Sequence, residues 1–284
     1  MPRIDVNGTE LRYEVQGSGE PVVLVHAGLI ADAFEPVRTD PILTERYQVI
    51  SYHRRGYGGS RRTRRPLSLR QQAEDCRELM RRLGLERAHV VGHSLGGTIA
   101  VQLALEAPEA VHTLSLMEPI IPAALEEPEV ARFFIEVLER AVAQYHAGDK
   151  AGAVDTWCQG AFGPGYRDEL DHHLPGAFEQ AVADADASFL LDLPALRQWR
   201  FTRDDAANLN LPVLSMFHDD PVWQGYRCTH ELLLDWLPRV DESKIPNANH
   251  LLTLQNPRVV AEALESFFAR HPISGIEAET SASW

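Results

Sequence analysis

The chain has 284 residues, 44% hydrophobic and 24% charged, which suits a globular protein with one large core or a core carrying an inserted subdomain. Its formal net charge of −14 argues against non-specific nucleic-acid binding and against docking on anionic membranes. No apolar run approaches the roughly 20 residues that span a bilayer, and the polar start MPRIDVNGTE lacks the apolar stretch of a signal peptide. Cys76, Cys158 and Cys228 are scattered and form no CxxC pair, so reduced thiols in the cytoplasm are expected, with neither a disulfide frame nor a zinc site.

The first elements read as a hairpin. Ile4, Val6, Leu11, Tyr13 and Val15 alternate around Asn7-Gly8, a dipeptide suited to a tight type I′ turn. Pro21 to Val25 is a continuous apolar run too short for a helix, hence a strand buried on both faces, and it ends at His26-Ala27-Gly28. A helical stretch over about 33–46 leads to a second buried strand from Tyr47 to Tyr52, then to His53-Arg54-Arg55-Gly56-Tyr57-Gly58-Gly59-Ser60. Leu69 to Leu83 fits a helix closed by Gly84. The strand His89-Val90-Val91 runs into Gly92-His93-Ser94-Leu95-Gly96-Gly97 and a helix from Thr98 to Ala107. Val111 to Met117 is another apolar strand, stopped by Glu118-Pro119.

The alternation breaks there. Residues 120–205 contain helical patterns and no convincing buried strand; Val130, Phe133, Phe134, Val137, Leu138 and Ala141 share one helix face. A strand resumes from Leu211 to Phe217, followed by a helix over about 226–237, a weaker strand near 240–246, and His250. Asn256-Pro257 predicts an N-cap and a last helix to Arg270, before a tail from Ile273 with no periodicity. Strands alternating with helices imply an α/β fold, a mostly parallel sheet with helices on both faces. The expected division is an α/β core over 1–119 and 206–284, with a helical cap over 120–205. The cap would lie over the carboxyl ends of the strands, where open α/β sheets bind ligands.

Gly92-His93-Ser94-Leu95-Gly96 matches G-x-S-x-G and lies between a predicted strand and a predicted helix. Such a turn brings the backbone close to itself, so the flanking residues must be small, and it lifts the serine hydroxyl to the positive end of a helix. A hydroxyl is a weak nucleophile until a base takes its proton. Among twelve histidines, His250 is the best placed, after the final strand and just before the last helix.

The hairpin start, the His26-Ala27-Gly28 turn, the Arg55 to Ser60 loop, the Gly92 to Gly97 turn and Asn249-His250 together resemble the α/β-hydrolase family, over about 1–120 and 205–271. The resemblance implies an eight-stranded sheet, Ser94 as nucleophile, His250 as base, and an oxyanion hole formed by the N–H groups of Leu95 and Gly28. Ala27, and Asn247-Ala248-Asn249 before the histidine, stand where the family usually carries glycine. For the third catalytic member, the usual family position lies beyond the seventh strand, where this chain reads Phe217-His218-Asp219-Asp220-Pro221. Some relatives place the acid after strand six, which here is Glu118. Glu118 leads, because a carboxylate at a buried strand end needs a partner and a histidine N–H supplies one; Asp220 and Asp219 remain alternatives.

Arg54, Arg55, Arg61, Arg62, Arg64 and Arg65 read as a solvated loop, with Arg55 tied to the loop's own backbone. The aromatic residues of the cap read mostly as packing, with some lining an apolar pocket. The resemblance thus implies a serine hydrolase of carboxylic esters or lactones of apolar small molecules, working through an acyl-enzyme on Ser94. Cofactor-free perhydrolysis, carbon–carbon bond hydrolysis and ligand sensing with little turnover remain alternatives. A carboxylate nucleophile, as in haloalkane dehalogenases and epoxide hydrolases of this fold, is absent from the turn. No metal or organic cofactor is expected; the expected partner is a small-molecule substrate, with no nucleic acid or membrane, and a homodimer is left open.

Overall fold

In the computed structural model, residues 2–125, 128–218 and 224–273 are described. β1 (Arg3–Val6) and β2 (Thr9–Gln16) pair antiparallel across Asn7-Gly8, whose φ angles of 44° and 75° are both positive, as a type I′ turn requires. β2 also pairs antiparallel with β4 (Tyr47–Tyr52). The remaining pairings are parallel and join β4 to β3 (Glu20–Val25), β5 (Ala88–His93), β6 (Val111–Met117), β7 (Val213–His218) and β8 (Val240–Ile245). The order across the eight-stranded sheet is β1-β2-β4-β3-β5-β6-β7-β8.

The helix predicted over 33–46 is two single turns, α1 (Glu35–Arg38) and α2 (Pro41–Thr44). Pro41 disfavours helical backbone at Asp40, which is extended (ψ 127°) and whose carboxylate instead accepts from the Ile42 N–H. α3 (Leu69–Arg82) opens with a capping box between Ser68 and Gln71, and Gly84 follows it at φ 76°. α4 (Leu95–Glu106) begins three residues earlier than predicted, because the backbone reverses within the single residue Ser94.

Between β6 and β7 the described residues form only helices. A 3₁₀ turn (Pro122–Leu125) precedes α5 (Pro128–His146), α6 (Lys150–Phe162), α7 (Tyr166–His173) and α8 (Ala177–Ala183). A π-helix (Ala187–Asp192), α9 (Leu193–Gln198) and α10 (Arg203–Ala207) complete the insertion. α11 (Gln224–Trp236), α12 (Leu252–Gln255) and α13 (Pro257–Arg270) follow. Asn256 does not cap α13: its side-chain amide donates to the carbonyls of Pro246 and Asn247. Residues 274–284 of the predicted tail lie outside the described residues, and among the described residues no helix is long and apolar enough to cross a membrane.

Successive residues of β3 feed opposite cores, as the strand's alternation demands. Val23 and Val25 join Leu79, Ile99 and Leu233 of α3, α4 and α11, whereas Val22 and Leu24 join Val37, Leu43, Val260 and Phe268 of α1, α2 and α13. A third core lies within the inserted helices and takes in Leu29 and Ile30 after β3 and Leu251 before α12. That shared packing seats the insertion over the carboxyl ends of the strands.

The turn between β5 and α4 is a tight crossing. A Cβ on Gly92 would lie 2.4 Å from the Gly96 carbonyl oxygen, and one on Gly96 would lie 2.1 Å from the Val25 oxygen and 2.5 Å from the His26 oxygen. Glycine at 96 therefore lets α4 start against the end of β3. Gly96→Ala is expected to cost at least about 1–3 kcal/mol of stability, as overpacking does. Gly28→Ala, whose Cβ would find only an Asp192 oxygen at 4.0 Å, is expected to leave stability near wild type. Urea denaturation of the two variants checks the contrast.

Candidate active site

Ser94 sits between β5 and α4 with φ 53° and ψ −122°, a conformation costly for a residue with a side chain. Its N–H donates to the Met117 carbonyl (2.8 Å), which ties the turn to the end of β6, and its side chain reaches the surface of a cavity. Leu95 is the first residue of α4, so its N–H has no acceptor within the helix. Gly28 lines the same cavity, in the turn where Leu29 (φ 65°) lets the Ile30 N–H donate back to the Gly28 carbonyl (2.8 Å). Ser94, Leu95, Gly28 and His250, predicted from three distant stretches of chain, thus share one cavity.

Glu118 follows β6 in the left-handed region (φ 47°) and is 2% exposed. Its Oε2 accepts from His250 Nδ1 at 2.6 Å, and its Oε1 accepts from the His218 backbone N–H at 2.7 Å and lies against His218 Nδ1. Burial alone would raise the Glu118 pKa; the His218 and His250 contacts outweigh it and hold the group at about 2. Glu118 is thus ionised at neutral pH and lies against His250. Asp219 and Asp220 lie outside the described residues.

The His250 loop is held by Asn249, at a position where glycine was expected. Asn249 Oδ1 accepts from the Leu251 N–H (2.8 Å), while its Nδ2 donates to the Phe162 carbonyl of α6 (2.7 Å). Tyr226 of α11 stacks on the His250 ring at 3.9 Å and 12°, a contact that no sequence pattern announced. His93, beside the serine, is buried with its ring 4.7 Å from that of His250, and neither of its ring nitrogens makes a hydrogen bond. Among the described residues, His93, Glu118 and His250 are the group whose ligand atoms converge closely enough for a metal ion. Glu118 already accepts from His250 and His218, so an ion there would compete with those bonds.

The cavity has about 760 Å³ of empty space, its open mouth included. Leu29, Ile120, Val137, Leu138, Leu193 and Leu196 line it together with Phe134, Trp157, Phe162 and Tyr226. Of the other cap aromatics, Tyr166, Phe178 and Phe189 pack among the inserted helices, and Trp199 stacks on Phe201 at 5.8 Å. The side chain of Phe133 lies outside the described residues.

In the arginine loop, Arg61, Arg62, Arg64 and Arg65 are exposed as expected, and the departures are at Arg54 and Arg55. Arg55 pairs with Asp75 of α3 through two bonds of 2.8 and 2.9 Å, and Arg62 instead reaches the loop carbonyl of Gly56. Arg54 is no solvated residue: it is 2% exposed and paired with Asp192. Charge type alone hid it, since a sequence does not reveal a partner 138 positions away.

A family model described as the alpha/beta hydrolase fold matches residues 20–257, and the chain belongs to the α/β-hydrolase fold family. The chain is 38% identical over 135 residues to fluoroacetate dehalogenase from Burkholderia sp., 46% of this chain and 44% of that protein. It is 26% identical over 276 residues to soluble epoxide hydrolase from Corynebacterium sp. (strain C12), 93% of this chain and 95% of that protein. In fluoroacetate dehalogenase the match therefore spans less than half the relative's length. Among solved structures, carboxylesterase CesB (YbfK) from Bacillus subtilis superimposes with a TM-score of 0.72 at 20% identity, over 94% of this chain and 90% of that one. Est816, described as an N-acyl homoserine lactone degrading enzyme, does so with a TM-score of 0.72 at 23% identity, over 94% and 100%. At these identities the structural likeness speaks for the fold.

Burial lowers the pKa of three histidines around the site: His26 falls well below the usual value, His93 to about 3, and His250 falls despite the opposing pull of Glu118. The unfolded chain binds protons at these positions as pH falls through about 6.5, whereas the folded protein resists them until lower pH. Stability should then rise with pH across that window. Thermal denaturation between about pH 7.5 and 5 is expected to show a falling Tm; a flat profile would contradict neutral burial of these rings.

Proposed function

We propose that the protein is a serine hydrolase that cleaves carboxylic esters or lactones of apolar small molecules through an acyl-enzyme on Ser94. The observation that carries this reading is the 2.6 Å bond between His250 Nδ1 and the ionised Glu118, at the wall of an apolar cavity that also holds Ser94. A proton on Nδ1, held by the carboxylate, leaves Nε2 of a neutral imidazole free to act as base. His250 takes the Ser94 proton as the hydroxyl attacks the carbonyl carbon, then protonates the leaving alcohol. In the second half it takes a proton from water, which releases the acid and restores Ser94. The N–H groups of Leu95 and Gly28 stabilise the oxyanion, a contribution of about 10²–10³ in rate for each such donor.

Ser94 also separates this protein from carboxylate-nucleophile chemistry. An ionised carboxylate can displace a leaving group at saturated carbon, while a serine activated by histidine suits attack on a carbonyl. The lining of aliphatic and aromatic side chains favours apolar substrates, and the helices over 120–205 act as a cap that keeps water from the cavity. Perhydrolysis and carbon–carbon cleavage use the same groups and differ in the second nucleophile or the leaving group.

A fluorophosphonate is expected to label the protein stoichiometrically and to leave Ser94→Ala unlabelled, with turnover of a short-chain p-nitrophenyl ester. Labelling without turnover would favour a ligand sensor, and no labelling of the folded protein would overturn the reading. Glu118→Gln is expected to lower kcat by about 10²–10⁴. The acidic limb of its rate profile should also move to lower pH, because the carboxylate that raises the His250 pKa is gone.

A further inference from the structure

Arg54, just after β4, and Asp192, at the end of the π-helix, form a buried ion pair that joins the inserted helices to the core. Nη1 and Nη2 of Arg54 donate to Oδ1 and Oδ2 of Asp192, both at 2.9 Å, a two-pronged fork. Gln72 of α3 donates to Oδ1 (3.1 Å) and Tyr57 to Oδ2 (2.5 Å). Four donors thus fill the roughly four lone-pair sites of a carboxylate. Asp192 lines the cavity but has no acceptor capacity left for a substrate. The Tyr57 proton is committed to Asp192, so in its 2.8 Å contact with Ser188 of the π-helix the serine is the donor.

The same guanidinium reaches the turn after β3. Nη2 also donates to the Ala27 carbonyl (3.1 Å), and the Arg54 backbone N–H donates to His26 Nε2 (2.9 Å). That second bond fixes the His26 tautomer, because a nitrogen that accepts carries no proton. His26 therefore holds its proton on Nδ1 and donates it to the same Ala27 carbonyl at 2.6 Å. No peptide bond among the described residues is cis, so the Gly28 N–H points opposite to the Ala27 carbonyl. Two donors that hold this carbonyl on the Arg54 side thereby hold the Gly28 N–H away from Arg54.

We propose that Arg54 and Asp192 are a positioning pair: seated inserted helices hold the Arg54 fork, the fork holds the Ala27–Gly28 peptide, and that peptide aims the Gly28 N–H at the developing oxyanion. The inference rests on acyl transfer at Ser94 and adds to it a coupling between cap and oxyanion hole. Arg54 touches no reacting atom.

Phenylboronic acid reads the coupling, because its adduct on Ser94 is a tetrahedral anion, while KM for a p-nitrophenyl ester reflects fit of the neutral substrate. The double variant Arg54→Met/Asp192→Leu leaves no unpaired buried charge, so it avoids the penalty of a single deletion. It is expected to lose about 10–10²-fold in both kcat and boronate affinity, with KM within about threefold of wild type. Arg54→Lys keeps the charge and loses the planar fork. It is expected to lose about tenfold on both readouts with Tm near wild type, and so serves if the double variant does not fold. Unchanged kcat and boronate affinity in either folded variant, or a loss confined to KM and Tm, would reduce the pair to a structural tie and overturn the proposal. Wild-type protein that takes neither boronate nor fluorophosphonate would instead overturn acyl transfer itself.

Discussion

A carboxylate sealed at the end of a β-strand loses its hydration, and the fold must replace it with donors or neutralise the group. Glu118 is that carboxylate, and the elements around it are arranged to satisfy it: the His218 N–H at the end of β7 and the His250 imidazole after β8 both converge on its two oxygens. The convergence requires β6, β7 and β8 to be parallel neighbours, so that their carboxyl ends lie side by side. Removing either partner would strand a buried charge, a loss of several kcal/mol. The same bond orients the ring of His250, and Tyr226 stacked on that ring limits its alternative orientations.

The inserted helices act on this centre from the other side. Phe134, Trp157 and Phe162 bring apolar surface over Ser94, and a low-polarity cavity strengthens every hydrogen bond made inside it. The acids nearest the cavity are held by dedicated partners: Asp192 is paired with Arg54, and Glu118 accepts from His250 and from the His218 N–H. A polar reaction centre with saturated acids and an apolar wall suits neutral substrates better than charged ones.

Much of this was legible in the sequence, for identifiable reasons. The hairpin, the buried strands and the Gly92 to Gly97 turn are local features, set by alternation, by φ > 0 at Asn7-Gly8 and by backbone crowding that tolerates only glycine. Ser94 and His250 were placed by motif and chain order, and Leu95 and Gly28 by the resemblance to the family. Glu118 could be favoured and not settled, because its reach to His250 depends on the pairing of β6 with β7. Arg54 and Asp192 were illegible: an arginine among five others reads as solvated, and its partner lies in a helix whose seating is tertiary. The early start of α4 and the split of α1 from α2 turned on single residues, Ser94 and Pro41, whose backbone demands override helical pattern.

The central claim is covalent: an ester or lactone passes its acyl group to Ser94. The most direct measurement is the intact mass of the protein quenched during turnover of an activated ester, with the modified peptide sequenced. A transient mass gain equal to the acyl group, located on Ser94 and absent from Ser94→Ala, is expected. Turnover with no adduct, or an adduct on another residue, would contradict it.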